Sequence, residues 1–268
     1  MFVLHCGSSA MRYLSKSLRH FYQLLISMTS KELRARYKHT FFGFFWLLVN
    51  PLLQMSVMAF VFRFFIKEEI IHYPYLLFLG LLIWNFFSLS LSKATPSIVY
   101  ERALIKKARF PREVIPLSIV LSNFINTGLA LGLLFIPVLF LGTLQISSFF
   151  YLLVALLLLF LLTSGLSLLT SALNVMFRDI NFFVQAFLIV WFYATPIVYP
   201  LSFVPNQYQW LWFFNPLTSI LQLAQYACLH TPLPNWQTFT SNLAVIVLVA
   251  TLGILVFKKQ ATKFDDWL

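Results

Sequence analysis

The chain has 268 residues, 60% of them hydrophobic and only 10% charged, with 19 Lys and Arg against 8 Asp and Glu for a net charge of +11. A water-facing domain carries roughly a quarter charged residues, so lipid must be the main solvent, and the length leaves room for one membrane domain without a sizeable soluble one. The two cysteines, Cys6 and Cys228, fit neither a disulfide framework nor a metal site, and the position of the positive charge, traced below, excludes nucleic acid as its partner.

Residues 1–40 form the first segment. Met11, Leu14, Leu18, Phe21, Tyr22, Leu25 and Met28 recur every three or four residues, with Arg12, Lys16, Arg19 and Gln23 opposite. That spacing predicts an amphipathic helix, lying either in the inner membrane interface or against a soluble partner. Thr29-Ser30-Lys31-Glu32 reads as a capping box, predicting that a second short helix starts there and runs into the first span.

Residues 41–268 form a transmembrane domain. Apolar windows of about twenty residues, long enough to span a bilayer, fall at roughly 41–62, 74–93, 116–141, 149–173, 182–200 and 240–257. Arg12, Lys16, Arg19, Lys31, Arg34, Arg36 and Lys38 precede the first window. Lys93, Arg102, Lys106, Lys107, Arg109 and Arg112 lie between the second and third, Arg178 between the fourth and fifth, and Lys258, Lys259 and Lys263 after the sixth. The alternate side holds only Arg63 and Lys67. This asymmetry predicts an all-α membrane protein of six transmembrane helices with both termini in the cytoplasm.

The windows contain amides, hydroxyls and small residues in place of charges: Asn50 and Gln54, Asn123 and Asn126, Gly128 and Gly132, and a face of Thr163, Ser167, Thr170 and Ser171. Gly128 and Gly132 are a small-xxx-small pattern that allows close helix approach. No Asp, Glu, Lys or Arg occurs between Asp179 and Lys258, so the ionisable relay of an ion-coupled transporter is absent. Phe183, Phe187 and Trp191 make one stripe on the fifth window, with Tyr193 and Gln185 on a neighbouring one. Such a stripe suits stacked sugar rings, and equally suits lipid.

Residues 201–239 carry four prolines and Trp210, Trp212, Phe213 and Phe214 without a full charge. Asn215-Pro216 reads as an N-cap followed by proline at the first helical position, and two short helices dipping into the outer leaflet are predicted. Residues 97–116 mix charge with a helical apolar face, Ser97 being the candidate cap. They form either a cytoplasmic docking helix or a solvated loop. No phosphate-cradling GxxxxGK[ST] sequence occurs, and His5, His20, His39, His72 and His230 are scattered. No catalytic, cofactor or metal site is expected.

Several short motifs then fall in a fixed order: Arg36-Tyr37-Lys38, Gly43-Phe44-Phe45-Trp46 with Pro51-Leu52, Leu104-Ile105-Lys106-Lys107, Phe110-Pro111-Arg112-Glu113-Val114-Ile115-Pro116, Phe177-Arg178-Asp179-Ile180, Thr195-Pro196-Ile197-Val198-Tyr199-Pro200 and Asn215-Pro216-Leu217. Together they resemble ABC-2-type permeases that export polysaccharides, closest to O-antigen and teichoic-acid exporters, over about residues 30–265. The resemblance implies a homodimer in the bacterial cytoplasmic (inner) membrane, joined by two copies of a separate cytoplasmic ATPase that binds the ATP and Mg. Its cargo would be an undecaprenyl-linked polysaccharide. Residues 98–110 would be the coupling helix, with Arg102, Leu104, Ile105, Lys106, Lys107 and Phe110 its contact candidates. The first and fifth spans would line the conduit, through Phe41, Phe45, Asn50 and Gln54 and through Phe183, Phe187, Trp191 and Tyr193. Residues 201–232 would gate the outer face, with Trp210, Trp212, Asn215 and Pro216 as candidates. A permease for a small amphipathic drug or lipid is the nearest alternative. A membrane-bound glycan ligase or polymerase lies further off, because its outer loop would need charge to handle pyrophosphate.

Overall fold

A backbone in a solvent without hydrogen-bonding groups must satisfy itself, and this one does so with helices. The computed structural model describes residues 6–37, 45–65, 73–108, 110–140, 146–199, 204–208 and 210–267, and among them every regular element is helical. The order is α1 (Cys6–Tyr37), α2 (Trp46–Phe65), α3 (Tyr73–Ala94), α4 (Ser97–Tyr100), α5 (Arg102–Lys107), α6 (Val114–Phe140), α7 (Ile146–Met176) and α8 (Asp179–Ala194). A 3-10 turn at Asn206–Tyr208 then precedes α9 (Leu211–Phe214), α10 (Pro216–Leu229), α11 (Trp236–Ala261) and α12 (Phe264–Trp267).

Four stretches are long and apolar enough to cross a membrane: Tyr73–Ala94, Val114–Leu133, Ser148–Met176 and Trp236–Ala261. The other two expected spans correspond to shorter apolar helices, Val49–Phe62 and Asp179–Ala194. The window at 182–200 overruns its helix because Thr195, standing before Pro196, is extended at φ −103° and ψ 134°. A residue before proline is pushed out of the helical region.

Helix α3 runs through the centre and packs on α2, α6, α7, α8 and α10. Leu77, Leu79, Leu81, Ile83, Phe86 and Phe87 are all fully buried along it. Aromatic edges extend this core sideways, with Phe86 5.7 Å from Phe124, and Phe124 5.0 Å from Phe160. The segment between α8 and α11 carries the two short helices α9 and α10. Ile220, Leu221, Ala224, Ala227 and Cys228 of α10 are buried in the same core, mainly against α7. Burial pushes the Cys228 thiol up to about 12.

Helices α7 and α11 form the most extensive pair in the fold. They cross where a Cβ on Gly165 would meet the Ala250 Cα at 2.6 Å, and one on Gly253 would lie 2.8 Å from the Gly165 carbonyl carbon. By contrast, Gly128 and Gly132 have nothing within 4 Å of a built Cβ. Among the described residues, the small-xxx-small pattern on α6 therefore brings no helix into close contact.

Two local expectations fail for the same reason, a hydroxyl finding a nearer partner. Residues 29–32 start no new helix: α1 is continuous, and the Thr29 hydroxyl donates to the Leu25 carbonyl at 2.7 Å. Ser97 does not cap α4 either. Pro96 occupies the cap position, and the Ser97 hydroxyl donates to the Ala94 carbonyl at 2.7 Å. The predicted docking helix is in fact two short helices that meet at Glu101. Beneath them a second apolar cluster joins Ile98, Ile105, Ile115, Leu168, Val175, Phe257 and Phe264.

Candidate functional site

Two cavities lie on opposite flanks of α8, which buries only Val184 and Leu188. On one flank a groove of about 950 Å³ is walled by α2, α3, α6 and α8. Its lining is rich in neutral polar groups: Asn50, Gln54, Asn85, Asn123, Asn126 and Gln185, with Ser88, Ser92 and Thr127. The Asn85 amide donates to Gln54 Oε1 at 3.3 Å, bridging α3 and α2. Among the described residues of the lining, Arg36 and Lys93 are the only charged ones. The Arg36 guanidinium, on the last turn of α1, donates to Asn123 Oδ1, and the Asn123 amide donates to Ser90 Oγ at 3.0 Å. One arginine thus fastens α1 to α6 and, through Asn123, to α3.

On the other flank an aromatic chamber of about 520 Å³ is lined by Phe187, Trp191, Tyr193, Tyr199, Tyr208 and Trp212, together with Leu162 and Leu166 of α7 and Val245 and Val249 of α11. Phe183 stacks on Phe187 with ring centroids 5.9 Å apart, and Phe187 meets Trp191 at 5.0 Å. The stripe expected from the sequence is a continuous aromatic row. At its upper end Trp191 Nε1 donates to Asn215 Oδ1 at 3.0 Å.

Asn215 joins the two halves of this site. Its Oδ1 also accepts from the Leu217 amide at 3.2 Å, which caps α10 with Pro216 next in line. Its Nδ2 donates to the Ala194 carbonyl at 3.2 Å and to Thr195 Oγ1 at 3.0 Å. Both lone pairs and both hydrogens of the amide are thereby used. A residue picked out as a helix cap is also the clasp that holds the end of α8.

The residues expected from the sequence are divided between these places. Asn50 and Gln54 line the amide groove. Phe187, Trp191 and Tyr193 instead share the aromatic chamber with Trp212, Asn215 and Pro216. Phe45 is exposed, as is Trp210, which lies edge-on to Phe214 at 6.4 Å. Phe41 lies outside the described residues. In the docking segment Arg102, Lys106 and Lys107 are exposed, while Leu104 and Phe110 are half-buried. Ile105 is only 5% exposed, inside the second apolar cluster. Its side chain packs within this chain. Tyr100, at 77%, is the most exposed large hydrophobic side chain there. Sequence reasoning overlooked Asn85, Ser88 and Ser92, although their i, i+3, i+7 spacing marks one polar face on an otherwise apolar helix.

A family profile described as ABC-2 type transporter matches residues 23–229. The chain belongs to the ABC-2 type transporter family. Three curated relatives match it almost end to end, each named O-antigen export system permease protein RfbA. The one from Myxococcus xanthus is 32% identical, the match covering 93% of this chain and 98% of the relative. Two from Klebsiella pneumoniae are 29% and 28% identical, covering 94% of this chain and 97% of each relative. As an ABC-2 type transporter with several membrane-length apolar helices, the chain is a multi-pass membrane protein.

Proposed function

We propose that this ABC-2 permease exports a lipid-linked polysaccharide, O-antigen-like or teichoic-acid-like, across the bacterial cytoplasmic membrane. It works as a homodimer, with each copy seated on a separate cytoplasmic ATPase. Six spans, the two shorter apolar helices included, place both termini in the cytoplasm. The observation that carries this reading is the amide groove: a large open channel wall with no carboxylate among the described residues of its lining. Amides and hydroxyls exchange hydrogen bonds with successive sugars at little cost, and aromatic faces tolerate any register, so a polymer can slide. Buried charge would instead hold it in place. The names of the relatives support the same cargo class. Tyr100, Arg102, Lys106 and Lys107 form the surface offered to the ATPase, while α9 and α10 close the outer side.

Deletion of the gene tests this directly. Surface polymer, read with an antibody on intact cells, should disappear while lipid-linked polymer accumulates inside. Normal surface polymer with raised sensitivity to amphipathic drugs would replace this reading with a small-molecule permease.

A further inference from the structure

The two cations of the groove have no role in sliding neutral sugars. Lys93 lies on the last turn of α3 and lines two cavities at once, the amide groove and a crevice of about 310 Å³ between α1, α3, α4, α6 and α8. Ser92 and Gln185 are shared in the same way, so the crevice adjoins the groove at Lys93. Within the crevice Lys31 is already paired, its Nζ 2.8 Å from Glu101 Oε1. Arg36 and Glu32 are the charges that act on Lys93. Among the described residues, one carboxylate against two cations leaves positive charge in excess at this mouth. A partly desolvated cation is costly unless an anion neutralises it. The guanidinium is also presented rigidly: the bond to Asn123 fixes it, and its planar fork suits phosphate oxygens.

We propose that Arg36 and Lys93 form a phosphate-binding mouth that captures the phosphate or diphosphate of a polyprenyl-linked glycan as its first sugars enter the amide groove. This inference rests on the export reading and names the part of the cargo recognised first. The flanks of the groove fit a ligand with a lipid tail. Leu53, Val57, Phe60 and Val61 of α2, and Phe182, Ile189 and Val190 of α8, are all exposed apolar side chains. A tail can remain in the bilayer beside them while the anionic group enters between the helices.

The test uses the full chain in nanodiscs, titrated with farnesyl diphosphate, farnesol and inorganic pyrophosphate and read by native mass spectrometry. Farnesyl diphosphate should bind at least tenfold more tightly than either fragment. Lys93→Gln should weaken it tenfold or more, and Lys93→Arg should restore it. Arg36→Gln also releases Asn123, so the exposed Lys93 gives the deciding variant. Unchanged diphosphate binding by Lys93→Gln overturns the proposal, as does farnesol binding as tightly as the diphosphate. Pyrophosphate binding as tightly would assign the site to a free anion and also overturn it. Lys93-dependent diphosphate binding in a chain whose deletion spares surface polymer would support the mouth and refute the export reading.

Discussion

Asn215 is 8% exposed and uses every hydrogen-bonding position of its amide. Replacing it strands the Trp191 indole N–H, the Ala194 carbonyl and an orphan amide of α10 together. Leaving buried polar groups unpaired costs on the order of 1–3 kcal/mol each. Asn215→Ala should therefore lower the unfolding temperature in detergent markedly. Asn215→Asp, which keeps the acceptor and loses both donors, should fall between it and the native chain. A temperature for Asn215→Ala equal to the parent's would show that the clasp contributes nothing. The cap itself was legible in the sequence because Asn-Pro is a local signal. Its tie to Trp191, 24 residues away, was not, since nothing in either segment names the other.

At the scale of elements, the glycines give the clearest contrast. Gly253→Ala drives a methyl into the α7 backbone, and overpacking of this kind costs about 1–3 kcal/mol. It should reduce the amount of folded protein recovered from membranes, as followed by size-exclusion chromatography. Gly132→Ala meets open space and should be recovered like the parent. The reverse ranking would mean that the α7–α11 crossing is wrong. The sequence made the weaker pair conspicuous, because Gly128 and Gly132 sit one turn apart, whereas Gly165 and Gly253 come from different helices. The docking segment offers a second contrast. Ile105→Asp places a charge in the second apolar cluster and should deplete the protein itself. Tyr100→Ala should leave its level intact and weaken co-purification of the ATPase. Normal co-purification by Tyr100→Ala would remove that surface from the interface.

Orientation is a property of the whole molecule, and cysteine labelling tests it. Cys228 is buried with its thiol pushed up to about 12, so it stays protonated and silent towards maleimide at neutral pH. In a Cys6→Ser background, Gln207→Cys should react with an impermeant reagent on intact cells, and Ala103→Cys should react only after lysis. Labelling of Ala103→Cys from outside would invert the topology. The all-helical character and four of the expected apolar spans were readable because apolar length is additive along the chain. The division of the polar and aromatic residues between two cavities was not readable, because it depends on which side of α8 each neighbour takes.

That division has a mechanical consequence. Helix α8 is a wall one helix thick, with an amide groove on one side and an aromatic chamber on the other. Only Val184 and Leu188 are buried along its sixteen residues, whereas its C-terminal end is clasped by Asn215. Such an element is a lever with its fulcrum at one end. A helix of this length reaches about 24 Å, so a tilt of about 10° at the fulcrum carries the far end roughly 4 Å. That far end lies beside Gln185 and Asn181, at the crevice they share with Lys93. A movement too small to break the clasp would be enough to widen the groove beside Lys93 and narrow the chamber on the other side of the helix.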